Sequence, residues 1–183
     1  DGTNAEVKST GITILGQYHI NENMSVFAGP RMVTASGEYH RRVAGNALAN
    51  YDVSYASDMD IGYVVGGAYE ITDIALRAAL TYSSATEFSM EGSGAGNPLS
   101  QVGNMTAKMP QSVNLDFQTG VAANTLAFAN IRWADWSEAS LDDSVVGNLA
   151  DFNDSDVTTY TVGIGRRFTD NFAAQIAVSY EKD

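Results

Sequence analysis

Along most of the chain, apolar residues alternate with small or polar ones at a period of two. Met59, Ile61, Tyr63, Val65, Gly67, Tyr69 and Ile71 hold every second position, and Asp58, Asp60, Gly62, Val64, Gly66, Ala68 and Glu70 fill the positions between. Only an extended strand puts two such sets on opposite faces. The same reading places strands on Thr10, Ile12, Ile14, Gly16, Tyr18 and Ile20, on Val26, Ala28, Pro30 and Met32, and on Ile74, Leu76, Ala78, Leu80 and Tyr82. Three more follow at Val113 to Val121, Tyr160 to Ile164 and Phe172 to Tyr180. The stretch 126–136 is the ambiguous one, with Ala127, Ala129, Ile131 and Trp133 opposing Phe128, Asn130, Arg132 and Trp136. Counting it gives eight strands.

The connections sort into two kinds. Tight turns fall at Asn21-Glu22-Asn23, Thr72-Asp73, Asn124-Thr125 and Thr169-Asp170-Asn171, built from residues that tolerate left-handed backbone. Between them lie long segments at about 40–52, 87–109 and 138–156, rich in Gly, Ser, Asn and Asp. Short and long connections alternate strictly, so all tight turns belong at one end of the sheet and all long loops at the other. A propeller with the same period needs four short strands per repeat, whereas each repeat here has two long ones. Strands of about ten alternating residues match a tilted crossing of a hydrocarbon layer. The predicted fold is therefore all-β, an antiparallel transmembrane β-barrel segment with an apolar outer face and a small or polar inner one. Tyr18, Tyr69, Phe168 and Phe172 beside the turns, and Tyr39, Tyr82, Trp133, Trp136 and Tyr180 toward the far ends, are placed as two interfacial girdles.

Composition narrows the function. A chain of 183 residues with 10 Lys+Arg against 22 Asp+Glu carries a formal charge of −12, which repels nucleic-acid phosphate. Without cysteine there is no disulfide framework and no thiolate metal site. No run of about 18 apolar residues is present, so transmembrane helices are not expected. The chain opens Asp1-Gly2-Thr3-Asn4, without the basic start and apolar run of a secretory leader. The first strand runs into a tight turn and the eighth leaves one, so both ends of 1–183 point to the long-loop side. Eight strands alone close into a barrel filled by its own side chains. A single partial barrel domain, one segment of a larger barrel, is the expectation.

Specific stretches carry a family likeness. Met24-Ser25-Val26-Phe27-Ala28-Gly29-Pro30-Arg31-Met32 with Ala35-Ser36-Gly37-Glu38-Tyr39, then Lys108-Met109-Pro110-Gln111-Ser112-Val113, Ile131-Arg132-Trp133-Ala134-Asp135-Trp136-Ser137, Tyr160-Thr161-Val162-Gly163-Ile164-Gly165 and Thr169-Asp170-Asn171-Phe172 resemble the long-chain fatty-acid transporter (FadL/TodX-like) family, strongest over 108–183. The resemblance implies a fourteen-stranded barrel plugged by an N-terminal hatch, passing fatty acids or aromatic hydrocarbons across the outer membrane of a Gram-negative bacterium. It also implies a monomeric barrel set among outer-membrane lipid and lipopolysaccharide, with no cofactor. The hatch and the remaining strands are missing from the resemblance, and Asn97-Pro98-Leu99 is a loop sequence, not the hatch signature Asn-Pro-Ala.

Candidate chemistry is sparse. Arg31, Arg77, Arg132 and Arg167 fall on the inner face, where each either holds a substrate carboxylate or neutralises an inward carboxylate such as Asp58, Asp60, Glu70 or Asp116. Phe88, Met90, Leu99, Val102, Met105 and Met109 form a candidate hydrophobic capture loop, with packing of the loop on itself as the alternative. Glu138, Asp142, Asp143, Asp151, Asp154 and Asp156 lack calcium-loop spacing, so solvated loop charge is expected and no metal. Leu141, Val145, Val146, Leu149 and Phe152 among them suggest a short helix or apolar patch. Two readings compete with transport: a small OmpA-like structural barrel, and a barrel lipid hydrolase using His40 with Ser36 or Ser54. No sequence resembling a nucleophile elbow supports the hydrolase.

Overall fold

A computed structural model describes residues 2–46, 50–95, 102–150 and 155–182. The predicted meander is present. Strands β1 (Gly2–Thr13), β2 (Gly16–His19), β3 (Met24–Arg42), β4 (Tyr51–Ile71), β5 (Leu76–Ser83), β6 (Thr86–Met90), β7 (Gly92–Ala95), β8 (Met105–Met109), β9 (Ser112–Ala122), β10 (Thr125–Ala134), β11 (Ser140–Asp143), β12 (Gly147–Asn148), β13 (Val157–Thr169) and β14 (Phe172–Lys182) follow in order. The main sheet runs β1-β3-β4-β5-β9-β10-β13-β14, with β2 continuing β1 along β3 and β7 adding to β4. All its pairings are antiparallel between neighbours in this path.

The short turns form as their residues dictate. Asn21 Oδ1 accepts the backbone N–H of Asn23 and Met24 at 2.9 and 2.8 Å, closing an Asx turn before β3. Ala75 and Asn124 take positive φ of 50° and 58° at the next two turns.

Register sorts the side chains into two faces. The outward set, including Ile12, Ile61, Leu80, Leu115, Ile131, Val162, Ile176 and Val178, with Met32 half-buried among them, is open to the surroundings, Ile176 and Val178 each being 68 % exposed. A water-facing sheet would not leave such a continuous apolar surface uncovered. Its upper edge is sharp. Above Ile12 the outward residues of β1 are Thr10, Lys8 and Glu6, and above Met32 those of β3 are Thr34, Ser36 and Glu38. Ile12 and Met32 are direct partners, so the apolar band ends at one height on neighbouring strands. About 9–11 tilted residues cross hydrocarbon, whereas β3 and β4 have 19 and 21. Their upper halves therefore stand clear of the band as a projecting ribbon.

A bulge alters that ribbon. Ala35 pairs with Asp58 but Gly37 pairs with Tyr55, so β4 gains an extra residue and its facing set switches parity. Below the bulge Asp58, Asp60 and Gly62 face inward; above it Tyr51, Val53 and Tyr55 do. Tyr39 joins them and is 6 % exposed, a correction to its expected place in the girdle. The outward aromatics on that side are instead Tyr63, whose ring lies 5.8 Å from that of Tyr82, with Tyr160 opposite Tyr180. At the turn side Tyr18, Tyr69, Phe168 and Phe172 are exposed and outward.

The long connections are not plain loops. β12-β11-β8-β6 form a second, four-stranded sheet that packs on the inward face of the ribbon. Of the short helix or apolar patch expected over the acidic segment, the patch forms among the described residues: Trp136–Glu138 is a single 3-10 turn, Ser140–Asp143 a strand, and Leu141, Val146 and Leu149 pack into the core. Between the sheets lies the core, where Val33, Ala35, Tyr39, Tyr51, Val53 and Tyr55 meet Phe88, Met90, Met105, Ala107 and Leu141.

Candidate functional site

The concave face of the main sheet brings together small and polar residues from β3, β4, β5, β9, β10, β13 and β14. Inward positions include Ser25, Gly29, Gly62, Ala68, Ala79, Asn114, Asp116, Gln118, Asn130, Thr161, Gln175 and Ser179. Toward the short-turn end it bears an open hollow of about 900 Å³ bordered by residues from Thr72 to Gln175, and beside it another open one of about 340 Å³ lined by Arg77, Asp116, Gln118, Phe128, Asn130 and Gln175. Hollows of this size accommodate small organic molecules.

The four inward arginines separate into two pairs. Arg77 Nε donates to Glu70 Oε1 at 2.8 Å across the β4–β5 pairing, and Arg132 Nη1 donates to Asn114 Oδ1 at 3.1 Å across β9–β10. Arg31 and Arg167 have no side-chain ion pair among the described residues. Of the inward carboxylates, Asp116 accepts from Asn130 at 2.7 Å. Asp58 and Asp60 bond no arginine. They accept the backbone N–H of Ser89 and Glu87 at 2.7 and 2.8 Å, supplying acceptors to the edge of β6 that no strand pairs.

The second sheet is thus hung over the loop-side mouth by side chains. Its deepest tie is Asp143, 3 % exposed, which accepts the Tyr55 hydroxyl at 2.7 Å, the Tyr51 hydroxyl at 3.4 Å and the backbone N–H of Val145 and Val146 at 2.8 Å each. Burial, reinforced by the bond and charge of Asp143, pushes the Tyr55 phenol far above its ordinary range; burial also raises that of Tyr51. The Tyr51 oxygen in turn accepts the N–H of Gly103.

Of the capture residues, Phe88, Met90 and Met105 are 0, 1 and 2 % exposed and form the core between the two sheets, so a compound arriving from solution does not meet them in this arrangement. Val102 and Met109 are half-buried at its edge; Leu99 lies outside the described residues. Asp151, Phe152 and Asp154 also lie outside them. Asp142 is exposed, and Glu138 pairs with Lys108 Nζ at 2.6 Å. His40 Nδ1 lies 2.8 Å from Asp52, which also accepts Arg42 at 2.7 Å, and its Nε2 lies 3.8 Å from Glu38. Those bonds, that of Arg42 foremost, hold the Asp52 carboxyl below the usual carboxylate range. His40 thus bonds carboxylates, and neither Ser36 nor Ser54 reaches it through a hydroxyl. Among the described residues no three His, Asp or Glu side chains cluster to hold a metal.

Solved structures fit this architecture. The Ralstonia pickettii toluene transporter TbuX superposes with a TM-score of 0.67 at 14 % identity, covering 97 % of this chain and 56 % of its own. The Pseudomonas putida toluene transporter TodX gives 0.70 at 16 %, covering 97 % and 56 %, and the monoaromatic hydrocarbon channel CymD gives 0.69 at 16 %, covering 97 % and 60 %. The chain has the fold of these channels. It spans a little over half the length of each. No protein-family model matches it, and no curated protein matches it in sequence.

Sequence reasoning missed two contributors to the site. Asp143 had the look of solvated loop charge and is the buried tie of the second sheet; no local signal distinguishes it from Asp142. The pairings of Phe27 with Gly66 and Phe128 with Gly163 depend on register, which becomes visible only across strands.

Proposed function

We propose that this chain is the major part of the wall of an outer-membrane barrel that passes small hydrophobic compounds, monoaromatic hydrocarbons foremost, and is not an enzyme. The two-faced wall carries the reading: an apolar outer band of fixed height, backed by an inner surface of small and polar residues that leaves room for a passage. The fold shared with toluene and monoaromatic hydrocarbon channels supports a small aromatic hydrocarbon as the substrate. β1 and β14 each pair on one side only, and open edges do not persist in lipid. Further strands close the barrel between them, fourteen in all, with a hatch inside. The complete barrel works as a monomer, its upper rim among lipopolysaccharide. An OmpA-like structural barrel would instead close on eight strands.

The test is entry of labelled toluene into vesicles carrying the full-length protein. Faster entry than into vesicles carrying an eight-stranded structural barrel supports the reading; equal rates overturn it. Arg31 and Arg167, left without an ion pair, favour a second substrate class, long-chain fatty acids, whose carboxylate they would hold. In that case Arg31→Gln and Arg167→Gln lower oleate uptake while toluene entry is unchanged. Among the described capture residues, the half-buried Val102 and Met109 are those an arriving molecule would meet.

A further inference from the structure

Three successive rows of inward side chains cross the wall near its short-turn end. In the middle row Glu70, Arg77, Gln118, Phe128 and Gly163 pair one after another across β4, β5, β9, β10 and β13. The row above it carries Asp116 beside Asn130, and the row below carries Leu126, then Gly165, then Gln175 on β14. The three rows border the open hollow of about 340 Å³. Gly163 and Gly165 bring no side chain of their own to this part of the wall. The Phe128 ring lies over Gly163, where a Cβ would fall on its Cζ, and so forms part of the floor.

The polar groups of this hollow divide into committed and free. Arg77 Nε donates to Glu70, and Asp116 accepts from Asn130. Among the described residues, the side-chain amides of Gln118 and Gln175 meet no hydrogen-bond partner. Gln118 is half-buried between Arg77 and Phe128, and Gln175 is exposed beyond Leu126. Polar side chains are ordinary in a barrel lumen, and the bonds of Arg77 and Asp116 are of that kind. The two glutamines differ: each leaves donors and an acceptor free, on either side of one apolar strip made by Leu126 and Phe128. We infer that this hollow is a binding site for a small aromatic compound bearing a neutral hydroxyl group, a phenol, its ring on Leu126 and Phe128 and its hydroxyl bonded by the amides of Gln118 and Gln175. A carboxylate is disfavoured, because the Arg77 guanidinium already serves Glu70 and Asp116 adds a second negative charge. The inference rests on the transport reading for the role of such a compound as cargo. One neutral hydrogen bond corresponds to a preference of about two- to tenfold over the same ring without the hydroxyl.

The probes are 4-fluorophenol, fluorobenzene and 4-fluorobenzoate, their binding to the full-length protein in detergent micelles followed by fluorine NMR against protein-free micelles. Entry of labelled toluene into vesicles is measured on the same preparations. The wild type is expected to bind 4-fluorophenol about two- to tenfold more tightly than fluorobenzene, and 4-fluorobenzoate more weakly than either. Gln118→Leu and Gln175→Leu keep side-chain bulk and strand pairing, as heat-shifted gel mobility verifies. Each should lower the phenol preference, and the double substitution should bring it to about 1 with fluorobenzene binding retained. A preference that the double substitution leaves unchanged, as amides committed to the hatch would give, overturns this inference while toluene entry still upholds the transport reading. Tighter binding of 4-fluorobenzoate than of the phenol overturns it as well, by revealing an anion site. Absence of toluene entry with the phenol preference intact overturns the transport reading and leaves the binding site standing.

Discussion

The Tyr55 hydroxyl donates a 2.7 Å hydrogen bond to the carboxylate of Asp143, 88 residues further along the chain. This bond joins the projecting ribbon to the sheet that covers it. A hydrogen bond to a buried charged group contributes about 1.5–3 kcal/mol. Tyr55→Phe should therefore speed amide exchange in β8 and β11 about ten- to a hundredfold while leaving exchange in the β13–β14 pairing unchanged. Asp143→Ala should act more strongly, because it also leaves the Val145 and Val146 N–H groups without their acceptor. Exchange measured by mass spectrometry on the two variants checks both the size and the locality of the effect.

Alkali should open the same junction. The folded protein keeps the Tyr55 phenol neutral far above its ordinary value, through burial first and the Asp143 bond second. A raised value in the folded state means a contribution present in full below the ordinary phenol value of about 10 and lost as pH rises beyond it. Opening of the second sheet should be insensitive to pH between about 7 and 9.5, then ease by up to about tenfold per pH unit above about 10. In Tyr55→Phe that slope should shrink, since only Tyr51 remains to ionise beside Asp143. Limited proteolysis across the pH series, scored at 102–109 and 140–148, reads this directly.

Near the band edge, a glycine lets two strands approach more closely than a side chain allows. Pro30 has no N–H to donate, and β1 gives way to β2 opposite it, with Ile14 N–H bonded to the Pro30 carbonyl at 3.1 Å. A Cβ on the adjacent Gly29 would fall on the Ile14 carbonyl oxygen, whereas at Gly16 the nearest atom would be 3.8 Å away. Gly29→Ala is expected to destabilise the barrel by about 1–3 kcal/mol, with faster exchange at Gln17 and Tyr18. Gly16→Ala should change stability by less than about 0.5 kcal/mol. Urea unfolding from vesicles distinguishes the two.

What the one-dimensional pattern could and could not reveal follows from which interactions are local. Strand alternation and Asn-rich turns are properties of neighbouring residues, so Asn21 to Met24 and Phe172 to Tyr180 announce their structure before any tertiary contact is known. The β4 bulge is different. It exists because Gly37 and Tyr55 come into register, and it turns Tyr51, Val53 and Tyr55 inward although nothing in their own spacing separates them from the alternation that begins at Asp58. The second sheet is harder still. Phe88 and Met90 alternate with Glu87 and Ser89 as any strand would, but whether that apolar edge meets solvent or Tyr39 depends on pairings 20 to 50 residues away. A hydrophobic loop predicted to receive substrate thus has three of its six named apolar residues, Phe88, Met90 and Met105, in a core. The arginines were legible as inward-facing but not in their commitments, because Glu70 and Arg77 become partners only through the turn at 72–75.

The membrane assignment is open to a direct energetic test through charge placed on each face in turn. Ile164 and its direct partner Ile176 stand on the outward face of β13 and β14, 46 and 68 % exposed, midway between the aromatic rows at Phe172 and Tyr180. An arginine at the midplane of a lipid-facing strand costs about 2–4 kcal/mol, falling toward about 0–1 at the interface. Ile164→Arg should therefore destabilise the folded barrel in vesicles by about 2–4 kcal/mol, whereas Thr161→Arg, on the inward face of the same strand opposite Ser179, should cost far less. The contrast matters more than either value. If the outward face met water, the order would reverse: an exposed isoleucine would accept arginine with little change, and the concave face would be the interior that resists charge. Fraction folded against urea concentration for the two variants decides which face is wet.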